Sequence, residues 1–264
     1  MSLFVVDKEK CKRDGICVAE CPRRIIEIRD GNPVPTPVDG ADELCINCGH
    51  CVAVCPHGAF SLGTMTLEQC PPVRKDWLLE PEQVEHFMRV RRSIRTYKDK
   101  SVEREVLTKL IDVARFAPSG SNAQPVRWLV IYDSDKVRQL AGLVIDWMRD
   151  IQKEQTWVNR IIATWESGID IICRGAPHVI FAHAPKGGAT NCIIAMTYLE
   201  LAAPSFGLGT CWAGYVDAAT SLWPPIQQFL GLSEGHISAA AMVGYPKYKY
   251  HRLPLRNEPK ITWR

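Results

Sequence analysis

No apolar run in this 264-residue chain reaches the roughly 18 residues that a membrane span needs. The longest, Cys192 to Ala203, is broken by polar residues. A signal-peptide core is lacking too: the opening Met-Ser-Leu-Phe-Val-Val is short, follows no positive leader and runs into Asp7-Lys8-Glu9-Lys10. The expectation is a protein of the cytoplasm with no membrane partner. Lys and Arg form no run with interleaved aromatics, so nucleic acid is not an expected partner either. Neither G-x-G-x-x-G nor a Walker A sequence is present, which excludes a dedicated Rossmann nicotinamide domain. Hydrophobic residues at 46% and charged residues at 23% exclude a disordered or collagen-like chain.

Cysteine, by contrast, is abundant and uneven. Seven of the eleven fall between positions 11 and 55. An odd total without a leader argues against a disulfide framework, and clustered thiolates in a reducing compartment point to metal. Charge is uneven as well: residues 1–70 carry a net of −3 and the remainder a net of +6, as expected of two separate domains that attract each other.

The cysteines repeat. Cys11, Cys17, Cys21 and Pro22 recur, shifted by 34, as Cys45, Cys51, Cys55 and Pro56, and Cys48 falls opposite Asp14. The second copy, Cys-Ile-Asn-Cys-Gly-His-Cys-Val-Ala-Val-Cys-Pro, has the C-x₂-C-x₂-C-x₃-C-P spacing of bacterial ferredoxins. Iron in a sulfide cubane prefers thiolate, and amides of a tight glycine-containing loop can hydrogen-bond the sulfurs. C-x₂-C pairs also make zinc ribbons, but three close cysteines followed by Cys-Pro, twice over, fit zinc poorly. Strands are expected at Leu3–Val6, Ile25–Ile28 and Ala59–Leu62, with a turn at Asp30-Gly31-Asn32. Residues 1–65 resemble a two-cluster bacterial ferredoxin. The resemblance implies one cluster at Cys11, Asp14, Cys17 and Cys55, as [4Fe-4S] or [3Fe-4S], and a [4Fe-4S] cluster at Cys45, Cys48, Cys51 and Cys21. Asp14 departs from the pattern; some ferredoxins resemble this chain in using aspartate there. His50 and His57, next to ligands, are read as solvent-facing loop residues.

Residues 66–80 read as a linker, and Cys70 within them as a bystander. From 81 to 264 the pattern is α+β. Helices are expected at 82–90, 102–116, 136–172 and 191–203, a strand-like stretch at Tyr97, and strands at 128–132, 178–184 and 237–245. Arg91-Arg92-Ser93-Ile94-Arg95 places guanidinium forks and a hydroxyl where an anion could be held. Residues 117–125 form a polar loop between helix and strand, and Gly207-Leu208-Gly209-Thr210-Cys211-Trp212-Ala213-Gly214 offers backbone for close approach. His178 and His183 on a strand, the tryptophans Trp147, Trp157 and Trp165, and Cys173, Cys192 and Cys211 read as core.

In order, R-R-S-I-R-x-Y, A-P-S-x-x-N-x-Q-P, G-L-G-T-C-W-x-G and a late G-Y-P followed by basic residues resemble the nitroreductase family of FMN enzymes. The resemblance covers residues 80–264. It implies that Arg91, Arg92, Ser93 and Arg95 hold the FMN phosphate and the pyrimidine edge of the flavin. Pro118, Ser119, Gly120, Asn122 and Gln124 would pack on the flavin from the other subunit of a homodimer, and Trp212, Ala213 and Gly214 would approach it through backbone. Arg252, by its Arg-Leu-Pro context, would close on the phosphate, with Arg256 as the alternative. Pro204 departs from the family near a helix end.

The implied protein is an FMN- and iron-sulfur-dependent oxidoreductase whose clusters relay electrons from reduced ferredoxin or NAD(P)H to the flavin. No catalytic side chain is implied, because the chemistry belongs to the flavin. The acceptor would be a small planar molecule such as a nitroaromatic or quinone, chosen by residues 140–170. The alternative is an electron-transfer protein that converts one- and two-electron flow between partner proteins, and a weaker third reading is a flavin-binding sensor.

Overall fold

A computed structural model describes residues 2–151, 155–232 and 236–264. The chain divides into two compact units, one of residues up to Leu78 with Ser119–Ala123, the other of Leu79–Pro118 with Gln124–Arg264. Among the described residues no helix is long and apolar enough to cross a membrane.

The first unit is built from β1 (Phe4–Val6), α1 (Ile16–Ala19), β2 (Ile26–Glu27), β3 (Thr36–Pro37), α2 (Ala41–Leu44), α3 (His50–Val54) and β4 (Phe60–Leu62). β1 pairs antiparallel with β4, Phe4 opposite Leu62, and β2 with β3. Phe4 and Phe60 rings lie 4.6 Å apart over a small core of Ile25, Ile26, Val52 and Leu62. Met65, Leu67 and Cys70 pack on that core, so Cys70 serves there as a small hydrophobe.

The second unit contains α4 (Pro81–Val90), α5 (Arg104–Ala114), β5 (Arg127–Ile131), α6 (Ser134–Ile151), α7 (Thr156–Glu166), β6 (His178–Ala184), α8 (Ala189–Ala202), β7 (Gly209–Trp212), α9 (Gly214–Leu222), α10 (Pro224–Leu230) and β8 (Ile237–Gly244). The sheet runs β5-β6-β8-β7, every pair antiparallel. Both faces are covered. Val179, Phe181, Ala240 and Met242 face the core shared with α6, α7, α9 and α10, while Ile180, Ala182, Ala239, Ala241 and Val243 face α5 and α8. Strands buried on both sides read as continuous apolar runs, as β6 and β8 do. His178 is fully buried; its Nε2 accepts the Val102 amide at 2.9 Å, its Nδ1 lies 2.8 Å from the Tyr132 carbonyl, and burial lowers its pKa.

The structure corrects several sequence expectations. The helix expected over 136–172 is two helices: α7 ends at Glu166, where Gly168 turns left-handed (φ 88°), and Asp170 then caps a loop through the Ile172, Cys173 and Gly175 amides; residues 152–154 lie outside the described residues. The Tyr97 stretch is a single bridge to Pro246, not a strand. Pro204 falls inside a 3₁₀ turn, Ala203–Phe206, that ends α8 at Ala202. Trp147 is core, but Trp157 is 45% exposed and stacked on Tyr215, rings 6.0 Å apart. α9 and α10 went unread because each is short and bounded by Gly or Pro.

The segment after α4 is laced onto the sheet. The Ile94 amide donates to the Thr210 carbonyl (2.8 Å), Lys98 to Tyr245 (2.8 Å) and Lys247 to Thr96 (3.0 Å). This approach requires glycine at two places. A Cβ at Gly209 would meet Ile94 and Pro246, and one at Gly244 would meet Pro177 and Tyr97. Gly209→Ala should therefore destabilise the protein by about 1–3 kcal/mol through overpacking. Thermal unfolding checks this, and a Tm unchanged from the parent would contradict the close approach.

Candidate functional site

In the first unit the repeat is written into the backbone. Left-handed φ occurs at Arg13 and Asn47 (55° and 51°), Gly15 and Gly49 (74° each), and Arg24 and Gly58 (51° and 57°), each pair 34 residues apart. Cys11 N donates to Asp7 O and Cys45 N to Ala41 O, both at 3.0 Å. Left-handed non-glycine residues are costly and persist where a ligand site needs a curled loop. Each curled loop carries its donors to the rim of a cavity.

One cavity is lined by Cys45, Cys48 and Cys51 together with Cys21, walled by Phe4, Ile26 and Leu62. The other is lined by Cys11, Asp14, Cys17 and Cys55, walled by Val6, Ala59 and Phe60. Each set thus takes its fourth member, Cys21 or Cys55, from the other half of the repeat. The Ala59 amide lies 3.3 Å from Cys55 Sγ, a backbone donor to sulfur of the kind that cluster sites use. Asp14 Oδ1 accepts the Ile16 amide at 3.2 Å and Oδ2 lies 3.4 Å from His57 Nε2. Burial raises the pKa of Cys17 and pushes Cys51 up to about 12. Such thiols ionise at neutral pH only against a strong nearby positive charge, of the kind a bound metal would supply. Among the described residues no three His, Cys, Asp or Glu side chains close on a single-ion position. Two rings of four donors, each around its own cavity, suit the wider spacing of a multi-iron cluster better than zinc with sulfur at about 2.3 Å.

In the second unit Arg91 and Arg92 line a cleft with Lys98, Thr210, Tyr248 and Lys249. Arg92 Nε is buried with no hydrogen-bond partner among the described residues, which is costly unless a ligand accepts from it. Outside the cleft lies one buried carboxylate, Glu200, whose Oε1 is 3.7 Å from Arg91 Nη1 and accepts from Thr210 Oγ1 at 3.3 Å. Ser93 bridges to Thr210 on β7. Arg95 Nη1 lies 3.4 Å from the Ser93 carbonyl, and with Arg174 it lowers the pKa of the Cys211 thiol against burial, which raises it more. Trp212 ends β7, and Ala213 N donates to Ala240 O at 2.8 Å, setting Gly214 at the start of α9.

Not every residue of the sequence set is gathered here. Arg252 and Arg256 are exposed beyond β8, and Arg252 Nη1 reaches only the His251 carbonyl among the contacts described; Lys249 of the same segment lines the cleft instead. Pro118 and Gln124 flank a 3₁₀ turn at Gly120–Asn122, and Ser119–Ala123 belongs to the first compact unit. There Asn122 Nδ2 donates to the carbonyls of Ile46 (3.1 Å) and Asn47 (2.9 Å), and Arg23 Nη2 lies 3.3 Å from Ser121 Oγ. Sequence reasoning missed Lys98, Lys249, Arg174 and Glu200. The signal for Glu200 was its charge within the apolar run Tyr198-Leu199-Glu200-Leu201.

Comparison with known proteins follows the same division. A model of the nitroreductase family matches residues 88–245, and a model of the 4Fe-4S dicluster domain matches residues 3–60. A protein of Archaeoglobus fulgidus named as an NADH dehydrogenase/NAD(P)H nitroreductase is 24% identical over 158 residues, covering 60% of this chain and 82% of that protein. A nitroreductase with bound FMN from Desulfitobacterium hafniense superposes with a TM-score of 0.58 at 24% identity, over 70% of this chain and 99% of the other. A second, from Bacteroides fragilis and also with bound FMN, gives 0.56 at 19% identity, over 68% and 95%. The structural likenesses establish the fold, and the family match spans more than half of the sequence. This chain belongs to the nitroreductase family: it is a flavin-dependent oxidoreductase of α+β fold that carries an N-terminal 4Fe-4S dicluster domain.

Proposed function

We propose that the second unit binds FMN and the first binds two iron-sulfur clusters through which electrons reach the flavin for reduction of a small planar acceptor. What carries this reading is the presence, in one chain, of two four-donor cavities and a basic cleft with an unpartnered buried Arg92 Nε. The bound FMN named for the two structural neighbours supports the choice of flavin. When bound, FMN supplies the exchange between one- and two-electron chemistry.

Arg91, Arg92, Ser93 and Arg95 would hold its phosphate and pyrimidine edge, with Lys98 and Lys249 adding charge that the sequence set lacked and Arg252 able to close from the same terminal segment. Trp212, Ala213 and Gly214 would present backbone at the N-terminus of α9, a position that favours negative charge. The stacked Trp157 and Tyr215 give a flat surface beside Gly214 suited to a planar acceptor. Pro118, Ser119, Gly120, Asn122 and Gln124 would complete the flavin site of a second copy. Exposed Val113, Phe116, Ile193 and Tyr198 on and beside α5 and α8 support such a homodimer. Reduced ferredoxin would load electrons through the clusters, and NAD(P)H, named for the Archaeoglobus protein, is the direct donor to compare.

The relay is tested by stopped-flow reduction of the holoenzyme. Cys48→Ser should slow ferredoxin-driven turnover of nitroaromatics or quinones at least about ten-fold while NAD(P)H-driven turnover changes less than about two-fold. Full ferredoxin-driven turnover in that variant would refute the relay. A fully reduced protein that consumes no small acceptor would favour an electron carrier between proteins instead.

For Asp14 the proposal is oxygen ligation of a fourth iron. Carboxylate is harder than thiolate and holds iron in a sulfide cubane less firmly. Anaerobic protein should show two four-iron clusters by EPR and iron counting, with a three-iron signal growing in air. Asp14→Cys should abolish that growth. A native protein as oxygen-stable as the variant would remove the argument.

An incomplete flavin site in the single copy makes the homodimer obligate, with two FMN and four clusters. Sedimentation should give a dimer at every concentration where FMN stays bound, and a monomer retaining stoichiometric FMN would overturn this.

A further inference from the structure

We propose that Glu200 is a positioning residue that turns the Arg91 guanidinium toward the anion in the basic cleft, an inference that rests on the FMN reading of that cleft. Glu200 sits on α8 at 8% exposure, among the few buried polar side chains of the described residues. Burying a carboxylate costs several kcal/mol unless a partner compensates it. Its partners are Thr210 Oγ1, which donates at 3.3 Å, and Arg91 Nη1 at 3.7 Å. Burial raises its pKa while both partners lower it.

The geometry separates the two partners' roles. Thr210 is itself buried, and its backbone holds Ile94 and bridges Ser93, so its hydroxyl anchors the carboxylate to the strand beside the basic motif. At 3.7 Å the Arg91 contact exceeds hydrogen-bond length, so it draws the guanidinium by charge without consuming an N–H. Among the described residues no hydrogen bond takes up an Arg91 N–H, which leaves the guanidinium to a ligand. Arg91 is a quarter exposed and lines the cleft, while Glu200 does not line it. Glu200 therefore acts on a bound anion only through Arg91. A long arginine held by a buried charge also loses fewer rotamers when the anion arrives.

The test is FMN affinity, read by flavin fluorescence on reconstituted full-length protein, across Glu200→Gln, Glu200→Ala, Arg91→Ala and the Arg91→Ala/Glu200→Gln double variant. Glu200→Gln keeps the shape and the Thr210 contact but loses the charge. It should weaken FMN binding about five-fold and Glu200→Ala at least about ten-fold, whereas Glu200→Gln on the Arg91→Ala background should alter affinity by less than about two-fold. The Tm of flavin-free Glu200→Gln should match the parent, separating positioning from folding. Should Glu200→Ala fail to fold, the Glu200→Gln cycle carries the test alone. Parental FMN affinity in Glu200→Gln, or losses that add fully to Arg91→Ala, would overturn the proposal while leaving the flavin reading intact. A parent chain that takes up no FMN would overturn both.

Discussion

An ionisable group taken out of water must find a partner or surrender its charge, and this protein is organised around the places where partners are provided. In the first unit the buried groups are thiols. Burial raises the pKa of Cys17 and Cys51, each lining a cavity with apolar walls, so either thiol would lose its proton readily only on binding a cation. In the second unit the same constraint appears as Glu200 against Arg91 and as His178 accepting the Val102 amide. The unit lacking a large hydrophobic core leans on metal chemistry; the unit with a sheet buried on both faces can hold a carboxylate inside.

Legibility in the sequence followed how local each cause is. Thiolate spacing is local, and the structure lines one cavity with Cys21, Cys45, Cys48 and Cys51 and another with Cys11, Asp14, Cys17 and Cys55, the grouping that the ferredoxin resemblance implied. β6 was legible to the residue because a strand buried on both faces leaves an unbroken apolar run between breaks. The end of α7 at Glu166 was not, because Gly168 and Asp170 follow it with a carboxylate-capped turn that apolar periodicity does not register. Lys249 reaches the cleft of Arg91 and Arg92 from the segment beyond β8, so its place beside the basic motif exists only after folding. Arg252 shows the converse: its local context matches a family pattern, while the surrounding segment sends Lys249 to the cleft.

Aromatic placement separates packing from chemistry in the same way. Trp147 lies in the core beside Met148, whereas Trp157 keeps nearly half its surface and meets Tyr215 one residue after the glycine that opens α9.

The exchange of Cys21 and Cys55 between the cavities of the first unit has a consequence for how the protein is made. The ribosome delivers Cys11, Cys17 and Cys21 well before Cys55, and the β1–β4 pairing that closes the unit waits for Leu62. Neither set of four side chains is whole until both repeats have emerged, so the two cavities are completed together, late in synthesis, rather than one after the other.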